Sequence, residues 1–192
     1  MTWDGQWREP SKLLPLRGEE SFRGMSGSVS DFWRFAMPDL RMNNARGYFA
    51  EYLVSRALGL DVVRVEWDDF DVLWDGVKIE VKSSAYLQSW AQRRLSTISF
   101  GNLRGRRLDP EAGYVGEQTY NADVYVFAWN TQTVPHAYDP LDVGAWAFHV
   151  VGRAKLEALG YKSIGLMALE KLSTRVSFEG LEGAISHAAG RS

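Results

Sequence analysis

Two alternating runs meet at Asp75-Gly76, and that dipeptide constrains the fold more than any other pair of residues in the chain. Asp-Gly between alternating segments forms a two-residue hairpin loop, because both central positions need a left-handed backbone. A loop of that length leaves one strand register. Trp74 falls opposite Val77, Leu73 opposite Lys78, Val72 opposite Ile79 and Asp71 opposite Glu80, with Asp69 facing Lys82 where no bulge intervenes. Side chains alternate along each strand. Val72, Trp74, Val77, Ile79 and Val81 therefore share a core face, and Asp69, Asp71, Leu73, Lys78, Glu80 and Lys82 share the other.

That register creates an electrostatic problem. Carboxylates directly opposite each other on paired strands repel. Either one of Asp71 and Glu80 holds a proton through a raised pKa, or a cation sits between them. A hard divalent ion such as Mg²⁺ takes one or two carboxylates. Lys82 projects to the same side as Glu80, where it can position an attacking water or neutralise charge developing on a phosphate. A solvated face held by salt pairs among Lys78, Glu80, Lys82 and Asp69 accounts for the same residues.

The flanking segments bear on that choice. Residues 43–60 read as a helix, capped by Asn43 or Asn44 and closed by Gly59. Its apolar residues run nearly all the way round, the mark of a buried helix. Glu51, in its middle, then needs a partner. Downstream, residues 86–107 hold Arg93, Arg94, Arg104, Arg106 and Arg107 and no acid. They read either as a solvated loop or as phosphate contacts; Arg93 and Arg94 lie nearest the hairpin in sequence.

The remaining elements follow from pattern. Residues 1–29, punctuated by Pro10, Pro15, Gly18, Gly24 and Gly27, read as an irregular arm, and 30–192 as a single domain. Residues 30–37 read as a short helix capped by Ser30. Strands are expected at 62–67, 123–130, 145–151 and 163–169, a helical turn at 84–95, and a helix at 153–160 closed by Gly160. A helix followed by three strands and then mixed elements argues α/β or α+β.

Composition excludes several chemistries. The chain has no cysteine, so there is no disulfide, thiolate metal site or Cys nucleophile, and a cytoplasmic location is expected. No apolar run approaches the roughly 20 residues of a membrane helix. A net charge of -2 leaves nucleic-acid contact to a local basic stripe. His136, His149 and His187 show no ligand spacing, and His149 reads as a packed strand residue. Tyr86 and Trp90 read as core, with base stacking as the alternative. No phosphate loop and no G-x-S-x-G nucleophile motif occurs.

Taken together, Asp71, the tripeptide Glu80-Val81-Lys82 and the upstream helical Glu51 resemble the PD-(D/E)xK nuclease superfamily, as found in uncharacterised bacterial branches. The likeness covers residues 46–90 element by element; beyond them it is general strand and helix order. Phe70 stands where the motif has proline. The resemblance implies a restriction-endonuclease-like fold, a mixed central β-sheet flanked by helices. It implies Mg²⁺, with Mn²⁺ able to substitute, held by Asp71, Glu80 and the Val81 carbonyl. Lys82 would assist the attacking water, Glu51 would bind a second metal or orient water, and Gln88 would stand near the site. It implies a metal-dependent endonuclease acting on DNA, with a homodimer expected because cutting two strands takes two sites. The alternative is a catalytically inactive module of the same fold that binds nucleic acid or a protein.

Overall fold

The computed structural model describes residues 14–64, 69–109 and 113–191. Two helices lead: α1, Val29–Ala36, and α2, Asn43–Ala57. The hairpin strands β1, Val72–Trp74, and β2, Val77–Ala85, follow. Then come β3, Ser99–Phe100, β4, Gly105–Asp109, β5, Gly113–Thr119, and the long strands β6, Val124–Asn130, and β7, Trp146–Gly152. The chain closes with α3, Arg153–Leu159, β8, Ile164–Gly165, α4, Leu166–Leu169, and α5, Leu181–Ala188.

The central sheet has the order β1-β2-β6-β7. β2 and β6 are parallel, whereas the β1–β2 and β6–β7 pairs are antiparallel. The protein is thus mixed α/β, with a central mixed sheet flanked by helices. Two-stranded ladders β3–β8 and β4–β5 form separate hydrogen-bonded sheets.

Both faces of the sheet are covered. Every residue of β6 is buried, which is why it reads as a continuous apolar run rather than an alternating one. On one face Ile79, Val124, Val126, Phe148 and Val150 meet Ala50, Leu53 and Val54 of α2 and Leu181 and Ile185 of α5. On the other, Tyr125, Phe127, Trp129 and Val151 meet Phe100, Leu156, Ile164 and Leu169.

The hairpin register holds for three pairs: Trp74↔Val77, Leu73↔Lys78 and Val72↔Ile79. The turn has φ of 47° at Asp75 and 82° at Gly76. The fourth pair departs from the expected ladder. The Asp71 N–H donates to the Ile79 carbonyl at 3.0 Å, the residue already across from Val72. The strand shifts as at a bulge, so Asp71 does not sit squarely opposite Glu80.

Several elements differ from the sequence reading. Helix α1 begins one residue earlier and is capped by Ser28, not Ser30. Ser28 Oγ accepts from the Asp31 N–H while the Asp31 carboxylate takes the Ser28 N–H, a reciprocal capping box. Neither Asn43 nor Asn44 caps α2; the cap position is Met42, with no side-chain bond. That helix is not buried all round either. Ala45, Ala50, Leu53 and Val54 form the covered stripe, while Tyr48 and Tyr52 face outward. Burying Leu53 and Val54 contributes about 1.5–3 kcal/mol each, more than the propensity differences of up to about 0.7 kcal/mol among ordinary residues, so packing sets which face turns inward. Residues 62–64 form no strand, and 65–67 lie outside the described residues. The helical turn expected at 84–95 is absent: Ser84 and Ala85 continue β2, and 86–95 are irregular. There Gln92 takes the Gln88 N–H on Oε1 and donates from Nε2 to the Tyr86 carbonyl and Ser96 Oγ, which satisfies the backbone without a helix. Residues 163–169 split into the short β8 and α4. The other expected elements are present: β6, β7, and α3 closed by Gly160 at φ 66°. Among the described residues, no helix is long and apolar enough to cross a membrane.

Candidate functional site

β2 outruns its hairpin partner. Among the described residues β1 pairs only with Val77–Ile79, and the motif residues lie beyond it. The Val81 N–H points to the β1 side and is taken by Asp71 Oδ2 at 2.7 Å. The carbonyl of an extended residue points to the same side as its N–H, so the Val81 carbonyl faces the same edge. Glu80 and Lys82 project to the Tyr125 side of the sheet, Glu80 across from Tyr125 and Lys82 across from Phe127. Lys82 Nζ donates to Glu80 Oε1 at 2.5 Å.

Glu51 reaches this edge from the middle of α2. Its Oε2 accepts from Arg64 Nε at 2.6 Å, and its side chain keeps only 13% exposure. The Arg64 guanidinium also lies over the Tyr48 ring, 4.5 Å from its centroid. Glu51, Asp71, Arg64, Tyr48, Tyr52 and Phe70 line one cleft of about 460 Å³.

The carboxyl groups share one electrostatic condition. Burial raises the pKa of Asp71, and the Val81 N–H, Lys82 and Arg64 pull it back only in part. Burial and the neighbouring Asp71 raise Glu80, against the pull of Lys82. Burial raises Glu51 to about 7, with Asp71 adding to the rise and Arg64 opposing it. Desolvation outweighs pairing in each case, so this corner is short of positive charge. The Tyr125 hydroxyl is pushed up to about 12 by burial, with Glu80 contributing.

Two half-buried carboxylates beside a backbone carbonyl are the oxygen-only chemistry a hard divalent cation takes, and the proton-holding tendency of Asp71 and Glu80 is what a cation would relieve. These residues fit Mg²⁺ in that sense. The third carboxylate does not join them as it stands. Glu51 is turned to Arg64, and among the described residues no three acidic or histidine side chains form a group able to hold a metal ion.

The other expected residues sort differently. Gln88 is buried, but it belongs to a neighbouring network. Its Oε1 accepts from Arg46 Nη1 at 3.0 Å and its Nε2 donates to the Ala85 carbonyl. Arg46 also donates to the Arg41 carbonyl and to Asn43 Oδ1, all of them neutral acceptors. Arg93 and Arg94 are solvent-exposed, as is Trp90, whereas Tyr86 packs against the second core. His149 is buried, stacked on Trp129 and bonded to Ser173 Oγ. Asp123 holds the start of β6, taking the Lys78 N–H at 3.0 Å and pairing with Arg153.

Arg64 and Tyr125 are the two neighbours of the acids that pattern reading missed. The signal for Arg64 was present: a buried carboxylate on α2 requires a partner, and Arg64 is a cation a few residues past the helix end. Tyr125 sits in an unbroken apolar strand with nothing to single it out before the β2–β6 register is known. Comparison with protein-family models, with curated proteins and with solved structures finds no match to this chain.

Proposed function

We propose that the protein is a metal-dependent nuclease of restriction-endonuclease-like fold that hydrolyses DNA phosphodiester bonds. The observation that carries this reading is the open end of β2, where Asp71, bonded to the Val81 N–H, brings its carboxylate to the Glu80-Val81-Lys82 segment in a partly dry corner. Asp71, Glu80 and the Val81 carbonyl would hold Mg²⁺, which supplies Lewis-acid stabilisation of phosphate charge and a nucleophile at neutral pH. Lys82 stands two residues from Glu80 on the same face and bonds to it; on this reading it would donate to a phosphate oxygen instead. Arg93 and Arg94 are exposed, and on this reading they would contact backbone phosphates further along the strand.

A linear or supercoiled DNA is incubated with the purified protein and Mg²⁺ or Mn²⁺, with Glu80→Gln and Lys82→Ala beside it. Cutting by the wild type that both variants lose supports the reading. Equal cutting by all three removes it.

One observation favours a second reading, a nucleic-acid- or protein-binding module of this fold without turnover. Glu51 and Lys82 are each already satisfied by an ion pair. Salt-dependent DNA binding unaltered by Glu80→Gln, with no cleavage under any divalent ion, is its signature.

A further inference from the structure

The pairing of Glu51 with Arg64 bears on how the site is completed. Resting on the phosphodiester reading of Asp71 and Glu80, we infer that Arg64 is a positioning residue that holds the Glu51 carboxylate apart from the Asp71–Glu80 pair and releases it when a substrate phosphate enters the cleft. Four observations converge. Glu51 and Asp71 line the same 460 Å³ cleft as Arg64. Glu51 Oε2 is committed to Arg64 Nε at 2.6 Å. The three acids, though near enough to feel one another's charge, do not form a metal-holding group among the described residues. Finally, the bond to Glu51 uses the Nε–H alone, while a guanidinium carries five N–H donors in a planar fork.

A phosphate accepts two of those donors in parallel and outcompetes a carboxylate held through one. Tyr48 keeps the guanidinium plane in place from one side, so Arg64 can exchange partners without leaving the cleft. Its side chain is 34% exposed, enough for a ligand to reach it. Freed of Arg64, the Glu51 carboxylate is left largely buried beside Asp71 and Glu80, where it must take up either a proton or a cation. Substrate and metal binding are thereby linked: each favours the arrangement that the other needs.

The test titrates Mn²⁺ into the full chain by calorimetry, without nucleic acid. Arg64→Ala is expected to bind Mn²⁺ about tenfold more tightly than wild type, the scale on which a ligand's supporting partner acts. In a Glu51→Gln background the same Arg64→Ala change is expected to do little, because the gain runs through Glu51. Unchanged affinity in Arg64→Ala, or an equal gain in both backgrounds, overturns the inference; the latter result would mean simple removal of a positive charge. Absence of Mn²⁺ binding in every variant overturns it too. The phosphate half is read by the Arg64 Nε–Hε signal in nuclear magnetic resonance, as a short oligodeoxynucleotide is added in metal-free buffer. The signal is expected to move, and one that stays put overturns that half. The Glu51-dependent gain in Mn²⁺ affinity, seen in a protein that cleaves no DNA, would leave the Arg64 assignment standing and the nuclease reading fallen.

Discussion

Asp71 Oδ2 accepts the Val81 backbone N–H at 2.7 Å, a donor that an unbroken ladder would offer to the Phe70 carbonyl. A side chain thus replaces a stretch of strand at the end of the hairpin. The bond ties the first motif residue to the second motif segment directly, so the two keep their spacing after regular pairing has stopped. The same bond leaves the carboxylate one oxygen to offer a ligand.

Asp71→Asn preserves an acceptor for Val81, whereas Asp71→Ala leaves that N–H without one. The alanine variant is expected to lose about 1–3 kcal/mol of stability, the cost of an unsatisfied partly buried donor, and the asparagine variant much less. Urea denaturation of the two variants checks the difference. Both are expected to lose cleavage.

Glu80→Gln is expected to lower DNA cleavage by about 100-fold or more, the scale of removing one electrostatic stabiliser. In metal-free protein it is expected not to destabilise, because burial and Asp71 both disfavour the Glu80 charge. Parallel measurement of cleavage rate and urea midpoint separates the two effects.

The pH dependence has a defined sign. The Glu51 carboxyl is raised to about 7 in the folded protein, against 4.5 for the ordinary group. Between those values the folded state binds more protons than the unfolded chain, so its contribution is fully present below pH 4.5 and is lost as pH rises through 7. The metal-free protein is therefore expected to lose stability from about pH 5 to about pH 8, by up to about 3 kcal/mol from this group. Glu51→Gln is expected to flatten the curve, as read by thermal melts across that range.

Gln88 supports Arg46. Burial lowers the Arg46 pKa, and its acceptors, Gln88 Oε1 among them, are neutral. Gln88→Leu removes one of these and is expected to cost about 1–3 kcal/mol. Any change in cleavage is expected to follow the change in stability rather than exceed it, which comparison of urea midpoints with cleavage rates in the cold and at physiological temperature checks.

Gly76 carries φ 82° in the hairpin turn, and nothing lies within 4 Å of where a Cβ would stand. Gly76→Ala therefore meets backbone strain without a clash and is expected to cost about 1 kcal/mol. A lowered urea midpoint at unchanged slope is the readout.

Legibility in the sequence followed the range of the interactions involved. The hairpin register could be read because Asp75-Gly76 fixes it locally, and β6, β7 and α3 because their patterns and ends are written in adjacent residues. What could not be read depends on partners far along the chain. Which side of α2 faces the sheet is decided by Val77, Ile79 and α5, and the tether of Glu51 to Arg64 arises only when the 60–64 segment folds back over the helix. The shift at Asp71 escaped for a related reason: a side chain outcompeting a backbone carbonyl for one N–H leaves no trace in hydrophobic pattern. Residues 84–95 read as a helical turn, but β2 runs on to Ala85 and Gln92 supplies beyond it the bonds that a helix would have provided.

β6 is hydrogen-bonded to β2 along one edge and to β7 along the other, with all seven of its residues shut off from solvent. Its amides are expected to exchange with water only when β2 or β7 comes away from it. The acidic end of β2 is thus bolted along one flank to a strand buried over its whole length. Any movement that lets a ligand in must come from the opposite flank, where α2 and the chain leaving it close over the cleft.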